Sequence, residues 1–481
     1  MIGSYDPESG QERRCNRRPH LIGSSPRSEL VLINNPSYWR ISGLELSSGA
    51  VGLRVHYTTV GHRSIELDGL VVHDFKGIFR GDCKQWPHAY TALGVLFDHS
   101  LRVLPQKPQA VLRDVQINDL EGYHNQGSLG MSGYGCAAHT ATSSYLYNQV
   151  TLQDLFLHDD AGPAPACSDG LQLITVSQAK ILDSRFEREG GCFTESGTTG
   201  VIVGESSDVA FINDVFAGTP VTKSPDQSGM DLEAHTRGVS VRGSYFGDNA
   251  GSGLEFLTIS GPENFHTGID VSDNVFSRNT KSPLAGTGEA GHIWRGGDAP
   301  EPSGRVQENL YSKEVPFAVG RMPSISFAHN SASSLVSASA LDWARSDGLW
   351  TVAQLSAGAW TTMQRHGDRF QALDGCTVTR FRLQASDSAD CTVARVWEAP
   401  RAGFVAVRGV ARTGAAQPAI GASVSIRTGS DISLEATAST AIGAPTRLDR
   451  LRVAKGQKVY FEVTLKARGA VSWVPAVGYV D

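Results

Sequence analysis

Apolar and polar positions recur in one short pattern along the first two thirds of the chain. Each unit has an apolar residue, a turn-forming Asp, Asn or Gly two positions later, and a second apolar residue three positions after that. The units begin at Ile41, Leu67, Leu112, Leu152, Ile181, Phe211, Val241 and Val271. From Asp154 onward they follow one another at about thirty residues, a period typical of solenoid proteins. The pattern predicts a repeat array.

Each of the later units holds a second short strand that opens with glycine. These strands begin at Gly170, Gly200, Gly229 and Gly253. Short alternating strands with Gly, Asn or Asp at each corner suit a coil whose inward side chains pack on the coils above and below. A propeller blade would need four antiparallel strands per unit, and these units offer two or three. We therefore predict that residues 1–335 form a right-handed parallel β-helix.

A different pattern begins after residue 330. The stretch Ser331–Ala340 is rich in Ser and Ala and is predicted to be a linker. Beyond it, short alternating strands such as Cys391–Trp397 and Lys458–Val463 are separated by turns. This pattern predicts a β-sandwich over residues 341–481, which we expect to fold independently and to have an accessory or glycan-binding role.

Composition agrees with an all-β chain and narrows the class of partner. The 481 residues include 52 Gly, and 19% of them are charged. The net charge of −6, without a basic stripe, gives no support for binding nucleic acid or an anionic membrane. No apolar run approaches the roughly 20 residues that cross a bilayer. A neutral or weakly charged partner is expected.

The cysteines exclude two common kinds of site. Seven are present and none forms a C-x-x-C pair, which argues against a zinc ribbon or a thioredoxin-like centre. Cys376 and Cys391 are predicted either to form a disulfide between neighbouring strands or to be two free buried thiols.

Several stretches carry a family resemblance. In the first part they are Ile2–Tyr5, Arg18–Gly23, Ser37–Glu45, Ser228–Glu233 and Gly247–Gly253, and in the last part Arg395–Gly403, Val459–Val463 and Trp473–Pro475. The first set resembles bacterial right-handed β-helix proteins of the pectate-lyase-like superfamily, which includes polysaccharide lyases and glycoside hydrolases. The second set is similar to a sandwich module often appended to such enzymes. The resemblance implies a secreted, carbohydrate-active protein whose partner is a polysaccharide or oligosaccharide.

An export signal is missing from the start of the sequence. Met1 is followed by Asp6 and Glu8 rather than by a basic stretch and an apolar core. We expect the start to be truncated, with an export signal and a first turn of structure upstream.

The glycine-initiated strands place three carboxylates together. Aligned on their first glycine, the strands put Gln172, Ile202, Asp231 and Glu255 in one column and Ile174, Gly204, Glu233 and Leu257 in the next. Alternate side chains face opposite sides of a strand, so Asp231 and Glu233 are predicted to face outward, with Glu255 beside Asp231. Adjacent rungs are about 4.8 Å apart, so the three carboxylates share one patch.

Such a patch suits the cleavage of glycosidic bonds. Like charges in close proximity raise a pKa, and hydrolysis uses one protonated acid beside one ionised carboxylate. We predict Asp231 and Glu255 as the acid and the base or nucleophile, with Glu233 tuning their protonation or holding the sugar. Two alternatives remain open: the carboxylates are simply solvated, or they bind calcium. No other cofactor is predicted.

Further residues are predicted to contact the substrate. Candidates near the carboxylates are Asp169, Gln172, His235 and His266, although a corner Asp is usually a turn residue and a lone His usually structural. A polar corner on the preceding coil comprises His158, Asp159 and Asp160. Long segments at 76–92, 121–143, 158–167, 187–198, 217–227 and 279–312 are predicted to line a groove. They hold aromatic residues suited to stacking on sugars or packing within the loops, namely Trp86, Tyr90, Tyr123 and Tyr134.

Three functions compete at this point. The leading hypothesis is a glycoside hydrolase. A polysaccharide lyase would need a basic or phenolic group to remove a proton next to a uronate carboxylate, and a cation to neutralise that carboxylate. Basic residues are sparse on the central coils, where Lys180, Arg185, Arg237 and Arg242 occur. The third hypothesis is a non-catalytic carbohydrate-binding or adhesion protein.

Overall fold

A computed structural model describes most of the chain. The described residues are 2–3, 18–76, 93–101, 110–131, 146–161, 169–191, 199–222, 226–233, 235–257, 266–281, 291–296, 301–339, 348–366, 369–371, 376–379, 382–385, 391–413, 422–429, 431–437, 444–465 and 469–480. The regular elements of these residues are all strands. The short alternating strands and the composition predicted this result.

The first face of the N-terminal domain is a sheet in which ten described strands lie side by side in chain order. Each strand pairs in parallel with the next, as in the pairing of Leu171–Ile174 with Val201–Gly204. The strands are Glu29–Asn34, Val51–Tyr57, Leu93–His99, Gly127–Met131, Leu171–Ile174, Val201–Gly204, Met230–Glu233, Leu254–Leu257, Ile293–Arg295 and Ala318–Val319.

The second and third faces together form a sheet of 22 described strands. They join because two long strands, His62–Phe75 and Leu112–Tyr123, run through both faces. The other strands are Ile2–Gly3, His20–Ile22, Trp39–Ser42, Glu45–Gly49, Tyr147–Gln153, Phe156–His158, Val176–Leu182, Arg185–Glu187, Ser207–Ile212, Val215–Ala217, Thr236–Arg237, Ser240–Arg242, Tyr245–Gly247, His266–Thr267, Ile269–Ser272, Val275–Ser277, Gly304–Gln307, Leu310–Ser312, Ile325–Ala328 and Ser331–Ser333. Because the chain returns to each face once per coil, the domain is the parallel β-helix that the sequence predicted.

The corner between the second and third faces explains the recurring motif. Its turn residues Asp154, Asp183, Asn213, Gly243 and Asp273 all have positive φ, between 54° and 62°. Of the common residues, Gly, Asn and Asp adopt this left-handed conformation most readily. The positive φ at this corner therefore explains why each unit has Gly, Asn or Asp as its turn residue.

One of the eight units was aligned incorrectly. Ile117, rather than Leu112, pairs with Leu152 on the following coil and with Leu67 on the preceding one. The corner residue of this coil is consequently Asp119, which has a φ of 52°. The error arose because the stretch contains two Asp residues, each two positions after an apolar residue. Only the pairing of whole strands shows which of the two lies at the corner.

Identical side chains stack along the core of the central coils. The rings of Phe186, Phe216, Phe246 and Phe276 lie one above the next, with centroids 5.3, 4.6 and 4.7 Å apart. The side chain of Asn249 donates to the carbonyl of Phe216, and that of Asn279 donates to the carbonyl of Phe246, each at 3.1 Å. Each coil therefore repeats the contacts of its neighbour, and the register of one coil sets that of the next.

The C-terminal part consists of three sheets in which all described pairings are antiparallel, as predicted for a sandwich. The strands are Val336–Ala338, Gly403–Arg408, Leu448–Val453 and Ala476–Val480 in the first sheet; Trp350–Ser356, Ala359–Thr362, Cys391–Glu398, Ser423–Thr428, Asp431–Thr437 and Lys458–Leu465 in the second; and Gln364–His366, Arg369–Gln371, Thr377–Thr379, Arg382–Ala385, Val410–Thr413, Ala444–Pro445 and Gly469–Trp473 in the third. Cys376 and Cys391 form a disulfide, which decides between the two alternatives.

The Ser/Ala-rich stretch is not a linker. Ser331–Ser333 is a strand of the third face that pairs with Leu310–Ser312. Val336–Ala338 already belongs to the sandwich, where it pairs with Ala476–Val480. Small residues are suited to this position because the two domains pack closely there, and the chain crosses between them within two residues.

The sandwich packs against the corner between the second and third faces. A buried apolar cluster spans the contact and contains Val215, Ala217, Tyr245, Val275, Leu310, Val336, Ala338, Ala406, Val474 and Ala476. Beside it Arg412 of the sandwich lies 3.3 Å from Asp183 of the β-helix, and both side chains are at most 1% exposed. The independent folding of residues 341–481 stays a prediction. In an isolated C-terminal domain, the residues of this contact would be exposed to solvent.

Candidate active site

The strand register brings the predicted carboxylates onto neighbouring rungs of the first face. Asp231 lies opposite Glu255 on the next strand. On the strand before, Ile202 lies opposite Asp231, and Gly204 lies opposite Glu233. The alignment of the glycine-initiated strands is therefore confirmed, and the three carboxylates belong to one cluster.

The carboxylates face away from the core, yet they are not exposed. Met230 and Leu232 alternate with them and point into the apolar core. Asp231 is only 2% exposed and Glu255 is fully buried. Glu233 is half-buried. The alternative that the carboxylates are simply solvated therefore does not hold for Asp231 and Glu255, since sequence alternation defines the side of a strand but not what lies over it.

Burial and mutual repulsion raise the pKa values of Asp231 and Glu233. Burial raises the pKa of Asp231 well above its usual range, and the charges of Glu255 and Glu233 raise it further. Burial also raises the pKa of Glu233 to about 8, with contributions from Asp169 and Asp226. The site therefore holds carboxylic acids that keep their protons at neutral pH, which is the condition required of a general acid.

Asp226 belongs to the cluster but was missed in the sequence. It is 8% exposed, and burial raises its pKa to about 6. The residue lies three positions before Gly229, in one of the long segments predicted to line the groove. A Cβ atom at Gly251 would collide with the Asp226 carbonyl oxygen, so Gly251 lets this segment lie close to the face. An Asp in a long segment has no periodic signal that would identify it.

Asp169 and Gln172 lie beside the cluster, as predicted. The Thr199 backbone N–H donates to Asp169 Oδ1 at 2.8 Å, and the Gln172 side chain donates to Oδ2 at 3.3 Å. Burial raises the pKa of Asp169 to about 6, and the nearby charge of Asp226 contributes. Gln172 occupies the same outward column as Asp231, two strands away, and is half-buried. Both positions are compatible with substrate contact.

The two predicted histidines differ in their surroundings. His266 is fully buried, and its ring nitrogens lie 2.7 Å from Thr236 Oγ1 and 3.1 Å from the Leu257 carbonyl oxygen. Burial lowers its pKa to about 4, so the ring is neutral. Its contacts are those of a structural residue, and we leave it out of the proposed site. His235 is half-buried and lies two residues after the end of the carboxylate strand.

Trp294 extends the outward column of the site and was not identified in the sequence. It pairs with Glu255 on the neighbouring strand and is half-buried. A Cβ atom at Gly296 would collide with the indole, so the ring lies over that glycine. Gly291 lies three positions before Trp294, whereas Gly253 lies two positions before Glu255, so an alignment on the first glycine would put Ile293 in this column instead of Trp294. An aromatic side chain beside carboxylates is a typical surface for a sugar ring.

The predicted aromatic wall is tested only in part. Trp86, Tyr90 and Tyr134 lie outside the described residues. Tyr123 does not belong to a loop, because it ends the strand Leu112–Tyr123 on the third face. Its ring stacks between His73 and His158 at centroid distances of 4.8 and 5.3 Å, away from the carboxylates.

The polar corner of the preceding coil is held by contacts within the β-helix. Asp160 is buried and accepts a hydrogen bond of 2.6 Å from Ser128. Asp159 lies 2.7 Å from the His158 ring and accepts a 2.8 Å hydrogen bond from Arg188. These contacts favour a structural role for all three predicted residues.

The basic residues considered for a lyase lie on other faces. They are Lys180, Arg185, Arg237 and Arg242, and each belongs to a strand of the second or third face. Arg185 lies over the ring of Phe156 at 3.6 Å, and Arg242 is 3.5 Å from Asp273. None of the four therefore shares a face with the carboxylate cluster.

The raised pKa values predict how stability changes with pH. Carboxylates of an unfolded chain titrate near pH 4, as a rough reference. Burial raises the pKa of Asp169 to about 6 and that of Glu233 to about 8, so the folded chain binds these protons more tightly. Their contribution is fully present at acid pH and is lost as the pH rises through these values. We expect the Tm to fall more steeply between about pH 4 and 8 in the wild type than in an Asp169→Asn/Glu233→Gln variant.

Adding calcium distinguishes a cluster of protonated carboxylic acids from a calcium-binding site. A bound Ca²⁺ would keep the carboxylates ionised, so adding it above neutral pH would raise the Tm of the wild type and leave the double variant unchanged. Equal pH slopes for the two proteins without calcium would contradict the raised pKa values. Thermal unfolding followed by circular dichroism measures both effects.

Comparisons with known proteins give remote structural likenesses. No family model matches the chain, and no curated protein matches it. A GH136 lacto-N-biosidase from Eubacterium ramulus is 15% identical with a TM-score of 0.47, over 63% of this chain and 51% of that one. An alginate lyase from Paenibacillus sp. is 14% identical with a TM-score of 0.30, over 66% and 80%. A bacteriophage CBA120 tailspike domain is 9% identical with a TM-score of 0.31, over 97% and 80%.

The chain thus spans about half the length of the lacto-N-biosidase that it matches. Among the described residues, no helix is both long and apolar enough to span a membrane. The strand register itself establishes the fold. The chain is a parallel β-helix protein with an appended antiparallel β-sandwich, and one face of its helix carries a cluster of buried carboxylates.

Proposed function

We propose that the chain is a carbohydrate-active enzyme, a glycoside hydrolase that uses the carboxylate cluster of the first face. The observation that carries the proposal is the position of Asp231 and Glu255 on adjacent rungs, where burial and repulsion raise the pKa of Asp231. Hydrolysis of a glycosidic bond needs an acid and a carboxylate within a few ångströms of one bond. This cluster supplies both.

Asp231 is the better candidate for the acid. Its raised pKa keeps the proton available at neutral pH, to be given to the leaving oxygen as the glycosidic bond breaks. Glu255 then acts either as the nucleophile that attacks the anomeric carbon or as the base that takes a proton from the attacking water. In both routes one water is consumed, its hydroxyl on the anomeric carbon and its proton on the leaving sugar.

The two routes require different separations of the carboxyl groups. Adjacent rungs are about 4.8 Å apart, near the roughly 5 Å of retaining enzymes. The diagonal from Glu233 to Glu255 is longer and suits the roughly 6.5–9.5 Å of inverting enzymes. Nuclear magnetic resonance of the first-formed anomer decides between the two routes.

Substrate would approach from the side of Glu233 and Trp294. Both are half-buried, whereas Asp231 and Glu255 are covered. Gly204, opposite Glu233, leaves room for a sugar ring beside that carboxylate. Asp169 and Gln172 would contact the sugars on the other side of the cluster.

The test is a panel of polysaccharides and oligosaccharides assayed for two products. A hydrolase releases reducing ends without absorbance from an unsaturated sugar. A lyase releases both, and is the alternative if the cluster holds a calcium ion that neutralises a uronate. Tight binding without either product would favour the carbohydrate-binding alternative and would contradict the proposal.

Replacing Trp294 with Ala tests the direction of approach. Loss of the stacking surface is expected to raise KM by about 2- to 10-fold with a smaller change in kcat, since an aromatic contact of this kind contributes about 0.5–1.5 kcal/mol. Kinetics on the substrate found in the panel measure the effect. Replacing Tyr123 with Ala is the matched control, because its ring lies on the third face. Equal effects of the two changes would remove Trp294 from the site.

A further inference from the structure

Two histidines and a glutamate meet on the third face, on the first coils of the β-helix. The strands His20–Ile22 and Glu45–Gly49 pair in parallel and place His20 opposite Glu45. The next strand, His62–Phe75, places His73 opposite Ser47, diagonally across from Glu45. All three side chains lie on the outer side of the sheet, because Leu46 and Val72 between them point into the core.

Their polar atoms converge on one point. Glu45 Oε1 is 3.2 Å from His73 Nε2 and 3.8 Å from His20 Nδ1, and the three atoms all lie within 4.8 Å of one another. Ligand atoms around a tetrahedral zinc ion are about 3.3 Å apart, given bond lengths of about 2.0–2.1 Å. The three groups therefore need shifts of no more than about 1 Å to share an ion.

The other nitrogen of each histidine is already held. His73 Nδ1 is 2.7 Å from Asp74 Oδ2, and His20 Nε2 is 2.6 Å from Ser47 Oγ. Metal-binding histidines usually make such a hydrogen bond, which sets the tautomer and the direction of the ring. The face of the His73 ring also stacks on Tyr123, with an angle of 2° between the planes. The ring that would bind the metal is thus fixed on two sides.

We propose that His20, Glu45 and His73 form a binding site for a divalent transition-metal ion of the zinc type. Two imidazole nitrogens and one carboxylate oxygen favour zinc over calcium, which prefers oxygen ligands alone. The side chains of His20 and Glu45 are 33% and 32% exposed, so a fourth position opens to solvent. The site lies on a different face from the carboxylate cluster and is independent of the proposed hydrolase activity.

The ion would fasten three successive coils. His20–Ile22 is a strand of three residues, and its described pairing is with Glu45–Gly49 alone. Binding to the folded chain but not to the unfolded one stabilises the folded state. We expect zinc to raise the Tm by several degrees and to protect the backbone of this strand from hydrogen exchange.

The experiment titrates zinc into the full chain, freed of metal with a chelator, in an isothermal titration calorimeter. We expect one zinc ion per chain with micromolar affinity or better, and loss of that binding in His20→Gln and His73→Gln variants. Asp74→Asn should weaken binding by about 10–100-fold, as expected for a residue that orients a ligand. His124→Gln is the matched control, because this ring is 57% exposed, lies 3.9 Å from Asp74 and is not one of the three converging residues.

Two outcomes would overturn the site. Undiminished binding in the His73→Gln variant would place the zinc elsewhere, and an Asp231→Asn/Glu255→Gln variant shows whether it lies in the carboxylate cluster. Failure of the wild type to bind zinc would leave the three side chains as a hydrogen-bonded group only. Circular dichroism of each metal-free variant establishes that the chain is folded before the comparison is made.

Discussion

Replacing Asp231 with Asn, or Glu255 with Gln, is expected to lower kcat by about 10²–10⁴-fold on the substrate that the panel identifies. Each amide preserves the shape of the side chain and removes the proton or the charge that the reaction uses. The two carboxylates lie on adjacent rungs and act on one bond, so the double variant should lose little more than either single variant. Initial rates measured with purified protein test both expectations.

A carboxylate on another face is the control for this pair. Asp270 on the second face is paired with Arg305 at 2.6 Å, and Asp270→Asn should leave kcat within a few-fold of the wild type. Because burial and the neighbouring carboxylates raise the pKa of Asp231, its side chain is already neutral at pH 7 and the Asp231→Asn variant should be about as stable as the wild type. Near-wild-type activity of both amide variants would show that the chemistry lies elsewhere.

Replacing Arg412 with Met is expected to lower the free energy of unfolding by about 3–5 kcal/mol. The guanidinium lies 3.3 Å from Asp183 in a contact that excludes water, and its loss leaves the carboxyl buried without its counter-charge. Burial already raises the pKa of Asp183, and the Arg412 charge opposes that rise. Urea denaturation monitored by tryptophan fluorescence measures the change.

A second ion pair in the same domain contact is the control for the pair of Arg412 and Asp183. Arg382 of the sandwich pairs with Asp154 of the β-helix, with side chains 34% and 20% exposed. Because water screens this pair, Arg382→Met should cost only about 0–1 kcal/mol. An Asp183→Asn change added to Arg412→Met should recover part of the loss. Equal effects of the two arginine changes would mean that burial of the Arg412 pair has no special importance.

The fold was predictable because its signals are local. A corner residue of left-handed conformation recurs in each coil, and a glycine opens the strand of the first face. These two markers align successive coils, and they placed Asp231 beside Glu255 correctly. The same logic failed at Leu112, where two candidate corners lie five residues apart and only strand pairing distinguishes Asp114 from Asp119.

The burial of outward-facing side chains could not be predicted from the corner residues and glycines that align the coils. The burial of Asp231 and Glu255 is not encoded in the alternation of their strands, and Asp226 lies in a segment without periodicity. The ion pair of Arg412 with Asp183 joins residues of two domains, far apart in the chain. These features arise from tertiary packing, which alternation along a strand does not encode.

The proposed zinc site of the third face also could not be predicted from the sequence alone. His20, Glu45 and His73 are 25 and 28 residues apart in the sequence and match no short metal-binding motif. They converge only when three coils stack in register. A repeat therefore has to be placed in register before its polar residues can be grouped into sites.

The stacked phenylalanines show that one coil is the structural repeat that a duplication could add to the β-helix. Phe186, Phe216, Phe246 and Phe276 are each separated by 30 residues, so duplicating one such segment would present the same ring and the same corner to its neighbours. Each added coil would lengthen the first face by about 4.8 Å. An inserted segment whose length is out of step with this period would disrupt the stack.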